Sequence, residues 1–165
     1  MIEYNFCPKC GNKVIIKGQT AYCDNCKITY YQNSKPAASV LIIKDNKVLL
    51  GRRAQEPLKG QLDIIGGFME YGEDPKVAAL REVKEETGLD VKIIDLLGIY
   101  TDTYGKKGEA TLNIHYIGEI ISGEPKPQDD ISELEWFEID KVPLNEGMQN
   151  TRDALRDLQK WFKNR

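Results

Sequence analysis

Three glutamates carry the clearest chemical signal in the chain. Glu82, Glu85 and Glu86 fall within residues 67–89, which read GFMEYGEDPKVAALREVKEETGL. On a helix, positions three and four apart share a face. The three carboxylates would then crowd one side, with Ala78 and Ala79 one turn earlier on that side. Like charges at such spacings repel, by roughly 3 kcal/mol for a pair about 6 Å apart at an effective dielectric of ~20. Carboxylates in a last turn also face the negative end of the helix dipole. A divalent cation would relieve both penalties, and Mg²⁺ is held by a few carboxylates plus water and substrate phosphates. The two alanines would leave room above the carboxylates for metal and substrate. A solvated acidic face is the alternative reading.

The elements that must position these groups are legible nearby. Pro75 suits the first helical position, Asp74 the N-cap, and Gly88 the C-terminal stop. Leu80, Val83 and Thr87, flanked by Val77, would face a core. Residues 61–65 read as a short strand running into Gly66-Gly67, and paired glycines let backbone approach a ligand closely. Further strands are expected at 37–44, 47–53, 91–103, 110–121 and 134–139. Asp45-Asn46 makes a hairpin turn, and residues 105–108 make another. Residues 151–163 read as an amphipathic helix with Ala154, Leu155, Leu158, Trp161 and Phe162 on its apolar stripe. That stripe packs on the core by default, a homodimer surface being the alternative.

A second constellation lies at the start. Cys7-Pro-Lys-Cys10 and Cys23-Asp-Asn-Cys26 are two CxxC knuckles twelve residues apart, and they hold all four cysteines. Each knuckle can present two thiolates to one tetrahedral ion. In a cytosolic chain this favours structural Zn²⁺ over disulfides; redox thiols or an iron–sulfur site are the alternatives. Four thiolates leave no open coordination position, so the ion would be structural. It would supply much of the folding free energy of so short a segment. The expectation is a zinc ribbon over residues 1–33, with short strands near 14–16, 21–22 and 28–31, and a second domain over 34–165. Such a ribbon could bind nucleic acid or protein, but its charges are mixed: Lys9, Lys13, Lys17 and Lys27 against Glu3 and Asp24. A scaffold or pocket wall fits better.

The chain has 165 residues, enough for one well-buried domain and a small appendage. A formal charge of −3 gives no general pull toward nucleic acid. No run approaches membrane-spanning length, and the N-terminus lacks a signal peptide's basic start and apolar core. A cytoplasmic protein without membrane contact is expected. Arg52 and Arg53 read either as surface charge or as phosphate or ribose contacts, since arginine offers a planar donor fork. Phe68 and Tyr71 could line a site or simply pack. Tyr100 and Tyr104 could stack on a base. His115, the only histidine, is by default structural in its strand.

Residues 67–89 resemble the Nudix box, G-x5-E-x7-R-E-U-x-E-E-x-G-U, with U a bulky aliphatic. Gly67, Glu73, Arg81, Glu82, Val83, Glu85, Glu86, Gly88 and Leu89 meet every fixed position. The resemblance implies an α+β fold, an α/β/α sandwich around a mixed sheet. It implies a hydrolase that uses Mg²⁺ or Mn²⁺ to cleave a nucleoside diphosphate linked to another moiety X. Glu82, Glu85 and Glu86, with the Gly67 carbonyl, would hold the catalytic metal. Glu85 is also a candidate general base. Arg81 belongs to the catalytic box, where an ion pair with Glu73 would hold its shape. In some such enzymes an acidic residue before an aromatic strand joins the site; Asp130 and Glu133 are the candidates.

The wider layout is similar to ribbon-bearing Nudix enzymes acting on ADP-ribose and FAD, and to the C-terminal half of NADH pyrophosphatases. The latter carry an SQPWPFP-like motif downstream of the box. Here that region reads IYTDTYGKKGEATLNIHY. ADP-ribose or a related dinucleotide such as FAD is therefore the first expectation, NAD(H) the second and nucleoside triphosphates the third. A non-enzyme reading makes the ribbon a binding module beside a ligand-sensing Nudix domain. It fits an intact box poorly.

Overall fold

The computed structural model describes residues 5–165. Glu3 and the start of the expected ribbon lie outside them. The described residues divide after Ser34 into a small unit and a larger one, Lys35–Arg165.

The small unit is a three-stranded antiparallel sheet, ordered β1 (Ile15–Lys17), β2 (Thr20–Cys23), β3 (Ile28–Tyr31). One knuckle lies before β1; the other starts at Cys23, the last residue of β2, and runs into the turn before β3.

The larger unit is built on a seven-stranded mixed sheet. Its strands are β4 (Lys35–Lys44), β5 (Lys47–Arg53), β6 (Leu62–Asp63), β7 (Ile65–Phe68), β8 (Asp90–Tyr104), β9 (Glu109–Ser122) and β10 (Ile131–Glu138). The main order is β10-β5-β4-β9-β8, with β6 on β5 and β7 on β4. The β4–β9 pairing is parallel and the others antiparallel. At the β4–β5 turn Asp45 and Asn46 take φ of 49° and 62°, the left-handed pair that a tight hairpin needs.

Two helices cover the sheet. α1 (Pro75–Thr87) begins as its sequence dictates: Pro75 opens it and the Asp74 carboxylate accepts from the Lys76 N–H at 2.8 Å. Gly88, at φ 71°, closes it in the left-handed conformation and donates to the Lys84 carbonyl. α2 (Gln149–Lys163) ends the fold. Side chains alternate along β4 between two cores. Ala38, Val40 and Ile42 join Ala78, Ala79 and Val83 of α1. Leu41 joins Ala154, Leu155 and Leu158 of α2. Both faces are therefore covered, which is why residues 40–43 read as one unbroken apolar run.

Two expectations about α1 are corrected. Ala78 and Ala79 do not roof a metal site; both are fully buried in the α1 core. Small side chains there let the helix approach β4 closely. Val77, expected toward the core, is exposed instead. Among the described residues no helix is long and apolar enough to cross a membrane.

Candidate functional site

The glutamates reach a cavity of about 350 Å³ in the larger unit. Glu82, Glu85 and Glu86 line it from α1, with Gly66, Gly67 and Phe68 from β7. Asp63 at the end of β6 and Asp129 and Asp130 in the loop before β10 complete an acidic wall. That loop is tied to the end of α1, where the Lys126 and Gln128 N–H groups donate to the Thr87 and Glu86 carbonyls. Backbone bonds thus carry two aspartates to the glutamates from more than forty residues away.

Glu86 is 4 % exposed. Its Oε2 accepts from the Gly66 N–H at 2.9 Å. Burial pushes its carboxyl up to about 8, the Gly66 donor pulling the other way and the charges of Glu82, Asp63 and Asp130 adding to the rise. Burial likewise raises Glu82. Arg81 lies beside the cavity rather than in its wall. It forms a fork–fork pair with Glu73, at 2.9 and 3.0 Å, and also donates to Glu82 at 2.8 Å, Glu85 at 3.0 Å and the Phe68 carbonyl at 3.3 Å. One guanidinium therefore fixes α1 to the turn before it and orients two of the acidic groups.

Six carboxylates line the cavity, and Arg53 is the one cationic side chain among the lining residues described. Arg53 is itself bound, to Asp63 at 2.6 Å, the Pro57 carbonyl at 2.7 Å and the Tyr104 hydroxyl at 3.2 Å. Such a wall repels a bare phosphate. It suits hard divalent cations, which take oxygen ligands and would let a phosphate approach. The acidic oxygens do not close to single-ion spacing; among the described residues only the four cysteines do. Open spacing fits Mg²⁺, which keeps several waters and needs only one or two carboxylates per ion.

The two arginines separate because neighbouring strand residues point to opposite faces. Arg53 enters the cavity. Arg52 does not: it pairs with Glu133, Glu135 and Glu146 at 3.9, 3.2 and 3.3 Å. Glu133, expected near the metal, is held there too, and only Asp130 of that pair lines the cavity. Phe68 and Tyr104 line it as an edge-to-face pair with centroids 5.3 Å apart. Tyr100 does not; its hydroxyl donates to Asp157 at 3.1 Å from the α2 core. Tyr71 is fully exposed and away from the cavity.

His115, 4 % exposed, lies at the cavity floor in a polar chain that sequence reading misses. Its Nδ1 meets the Ser39 hydroxyl and its Nε2 meets Asn150 Oδ1 at 3.0 Å. Asn150 Nδ2 in turn donates to Asp102 at 2.9 Å. A carboxylate only accepts, so the amide orientation is fixed; Nε2 then carries the proton and Ser39 donates to Nδ1. Burial lowers His115 to about 4. The folded protein keeps it neutral down to that pH, while the unfolded chain binds a proton below about 6.5. Stability is therefore lost as pH falls from about 6.5 toward 4. In His115→Gln that component disappears. Thermal unfolding should show the variant well below the wild type near pH 7.5, with the gap narrowed by about 2 kcal/mol near pH 4.5; a constant gap would contradict the assignment.

In the small unit, the sulfurs of Cys7, Cys10, Cys23 and Cys26 all lie within 4.8 Å of one another, Cys10 and Cys23 at 3.6 Å. Sulfurs about 2.3 Å from a tetrahedral Zn²⁺ stand about 3.8 Å apart. The Tyr30 hydroxyl at 3.3 Å lowers the Cys7 thiol to about 6. Cys26 is pushed up to about 12, first by Cys10. Thiolates so crowded need a cation to coexist.

Residues 33–158 match the NUDIX domain model. An ADP-ribose pyrophosphatase of Methanocaldococcus jannaschii is 39% identical over 117 residues, covering 71% of this chain and 69% of that relative. An NAD-capped RNA hydrolase NudC of Vibrio atlanticus is 30% identical over 162 residues, 92% of this chain; the chain spans only 58% of that relative's length. The crystal structure of a NUDIX hydrolase from Nitrosomonas europaea superposes with a TM-score of 0.80 at 26% identity, covering 98% of this chain and 92% of that one. A box whose nine fixed positions are all met, glutamates gathered on one cavity wall, and a domain model matched across most of the chain converge: this chain is a member of the NUDIX family.

Proposed function

We propose that this domain hydrolyses the diphosphate bond of a nucleoside diphosphate linked to X, with ADP-ribose or a related dinucleotide such as FAD as substrate. The supporting observation is the acidic cavity itself, which an anionic diphosphate can enter only with divalent cations. Glu82, Glu85, Glu86 and the Gly67 carbonyl would hold Mg²⁺ or Mn²⁺, with Asp129 and Asp130 close by. When bound, such ions lower the pKa of water and neutralise phosphate oxygens. The protein's own part is positional. Arg81 holds the glutamates, Gly66 orients Glu86, and Arg53, anchored by Asp63, Pro57 and Tyr104, has its two remaining N–H groups for a phosphate or ribose. Glu85, at the open edge of the wall, is suited to take a proton from attacking water.

The test is release of AMP from ADP-ribose with Mg²⁺ and its loss with chelator. A second reading, NAD(H), is favoured by the NudC relative, whose alignment covers 92% of the chain. AMP released from ADP-ribose but not from NADH decides for the first; the reverse decides for the second.

The four cysteines are proposed to hold one structural Zn²⁺. Metal analysis should find about one zinc per chain in the wild type and almost none in Cys10→Ser/Cys26→Ser, since two thiolates hold zinc far more weakly than four. Equal zinc in both proteins would overturn the assignment.

A further inference from the structure

We propose that Asn113 and Thr111, on the cavity side of β9, read the edge of the substrate's nucleobase. The inference rests on the hydrolase reading above and names the part of its site that selects substrate.

Asn113 and Thr111 are 8 % and 4 % exposed, and both line the cavity. Two residues apart on one strand, they share a face. Asn113 Nδ2 donates to Thr111 Oγ1 at 3.0 Å and to the Tyr100 carbonyl at 3.5 Å. A carbonyl accepts only, so the amide nitrogen must face it and Oδ1 must face away. Among the described residues no donor is bonded to Oδ1, yet no buried side-chain oxygen lacks a partner. Oδ1 therefore reaches the open cavity. Thr111 Oγ1 accepts from Asn113, which leaves its own O–H free to donate. The floor thus offers one fixed acceptor beside one donor.

That pattern complements a nucleobase edge, where an N–H stands next to a ring nitrogen or carbonyl: N6–H beside N1 in adenine. The Phe68–Tyr104 pair adds aromatic surface to the same cavity, against which a base face can lie. Both edge-reading groups are neutral and the acidic wall belongs to other elements. The base and the diphosphate are thereby given separate parts of one cavity. A sugar offers no aromatic face, so ring-on-ring stacking with Phe68 and Tyr104 is open to the base alone. A half-satisfied amide held ready at the cavity floor also has a selective consequence. A ligand without the matching N–H leaves Oδ1 desolvated and unpaired, the condition under which polar sites discriminate most strongly.

The experiment uses the full chain. Calorimetry measures adenosine without metal and, separately, ribose 5-phosphate with Mg²⁺. Steady-state kinetics with Mg²⁺ compare ADP-ribose with its abasic analogue. In Asn113→Leu, adenosine should bind at least ~10-fold more weakly and KM for ADP-ribose should rise by a similar factor, with the abasic analogue unchanged. Thr111→Val, close in shape and suited to a strand, should show the same direction and serves if Asn113→Leu does not fold. Adenosine affinity unchanged in a folded variant would overturn the proposal. So would equal losses on ADP-ribose and the abasic analogue, or a loss of ribose 5-phosphate binding in place of adenosine. A wild type that binds adenosine through Asn113 but cleaves no diphosphate would sink the hydrolase reading and leave base recognition standing.

Discussion

Glu85→Gln/Glu86→Gln should lose at least ~10³-fold in Mg²⁺-dependent hydrolysis of ADP-ribose while folding normally, because the proposed site would act electrostatically through the cations its carboxylates hold. The informative part is what happens to stability. Glu86 is an almost fully buried carboxyl, hydrogen-bonded to one backbone N–H and surrounded by Glu82, Asp63 and Asp130. Burial raises its pKa from 4.5 to about 8. A raised carboxyl keeps its proton in the fold over a range where the unfolded chain has lost it, so metal-free stability falls as pH rises from about 4.5 to about 8. Glutamine carries no charge and can still accept from Gly66. Without metal near pH 8.5, Glu86→Gln should therefore melt higher than the wild type, by about 2 kcal/mol or ~4–8 °C. With Mg²⁺ the order should reverse, since under the proposed function only the wild type retains the anion that would bind the cation. Thermal melts with and without Mg²⁺, beside AMP-release assays, read both effects. Retained turnover in the double variant would remove these glutamates from the reaction. A metal-free Glu86→Gln that melts lower would show that the buried charge is already compensated.

What could be read before the fold was known follows from how local each feature is. The α1 boundaries rest on Asp74, Pro75 and Gly88, residues that act on their immediate neighbours, and the helix begins and ends where they place it. The glutamate face is equally local. Which side of that helix meets the sheet is not: Ala78 and Ala79 share a wheel sector with the carboxylates, and only the close approach to β4 shows that they are core. The choice between Arg52 and Arg53 depends on strand orientation, which two adjacent identical residues cannot reveal. Asp63, Asn113 and Asn150 carry no spacing signal, because they reach the cavity through sheet pairings and the start of α2. His115 looked like an ordinary strand histidine and is one in being buried and neutral. Its chain to Ser39, Asn150 and Asp102 spans residues 39 to 150 and has no sequence signature.

The adjacent glycines of β7 should separate stability from activity. At Gly66, φ is 153°, a conformation that L side chains rarely adopt. An added Cβ would stand 2.2 Å from Ser39 Cβ and 2.5 Å from the Ala38 carbonyl. Those neighbours belong to β4, the centre of the sheet, and cannot yield without moving the strand. Gly66→Ala should therefore be strongly destabilised, by about 3 kcal/mol or more, with a melting point lower by at least ~6 °C. At Gly67 the obstacle differs in kind. The three atoms nearest the added Cβ are the carboxyl carbon and both oxygens of Glu82, each at 2.7 Å. A side-chain end can swing away, so Gly67→Ala should melt within ~2 °C of the wild type. The swing carries the carboxylate out of the position that Arg81 holds for it at 2.8 Å. Turnover should fall by ~10²-fold, with a higher Mg²⁺ concentration needed for half-maximal rate, as expected when a preorganised charge is displaced. Paired melts and Mg²⁺ titrations of the two variants check this. If Gly67→Ala keeps full activity, the Glu82 carboxylate has no fixed role. If instead it unfolds like Gly66→Ala, the glycine serves the sheet and not the site.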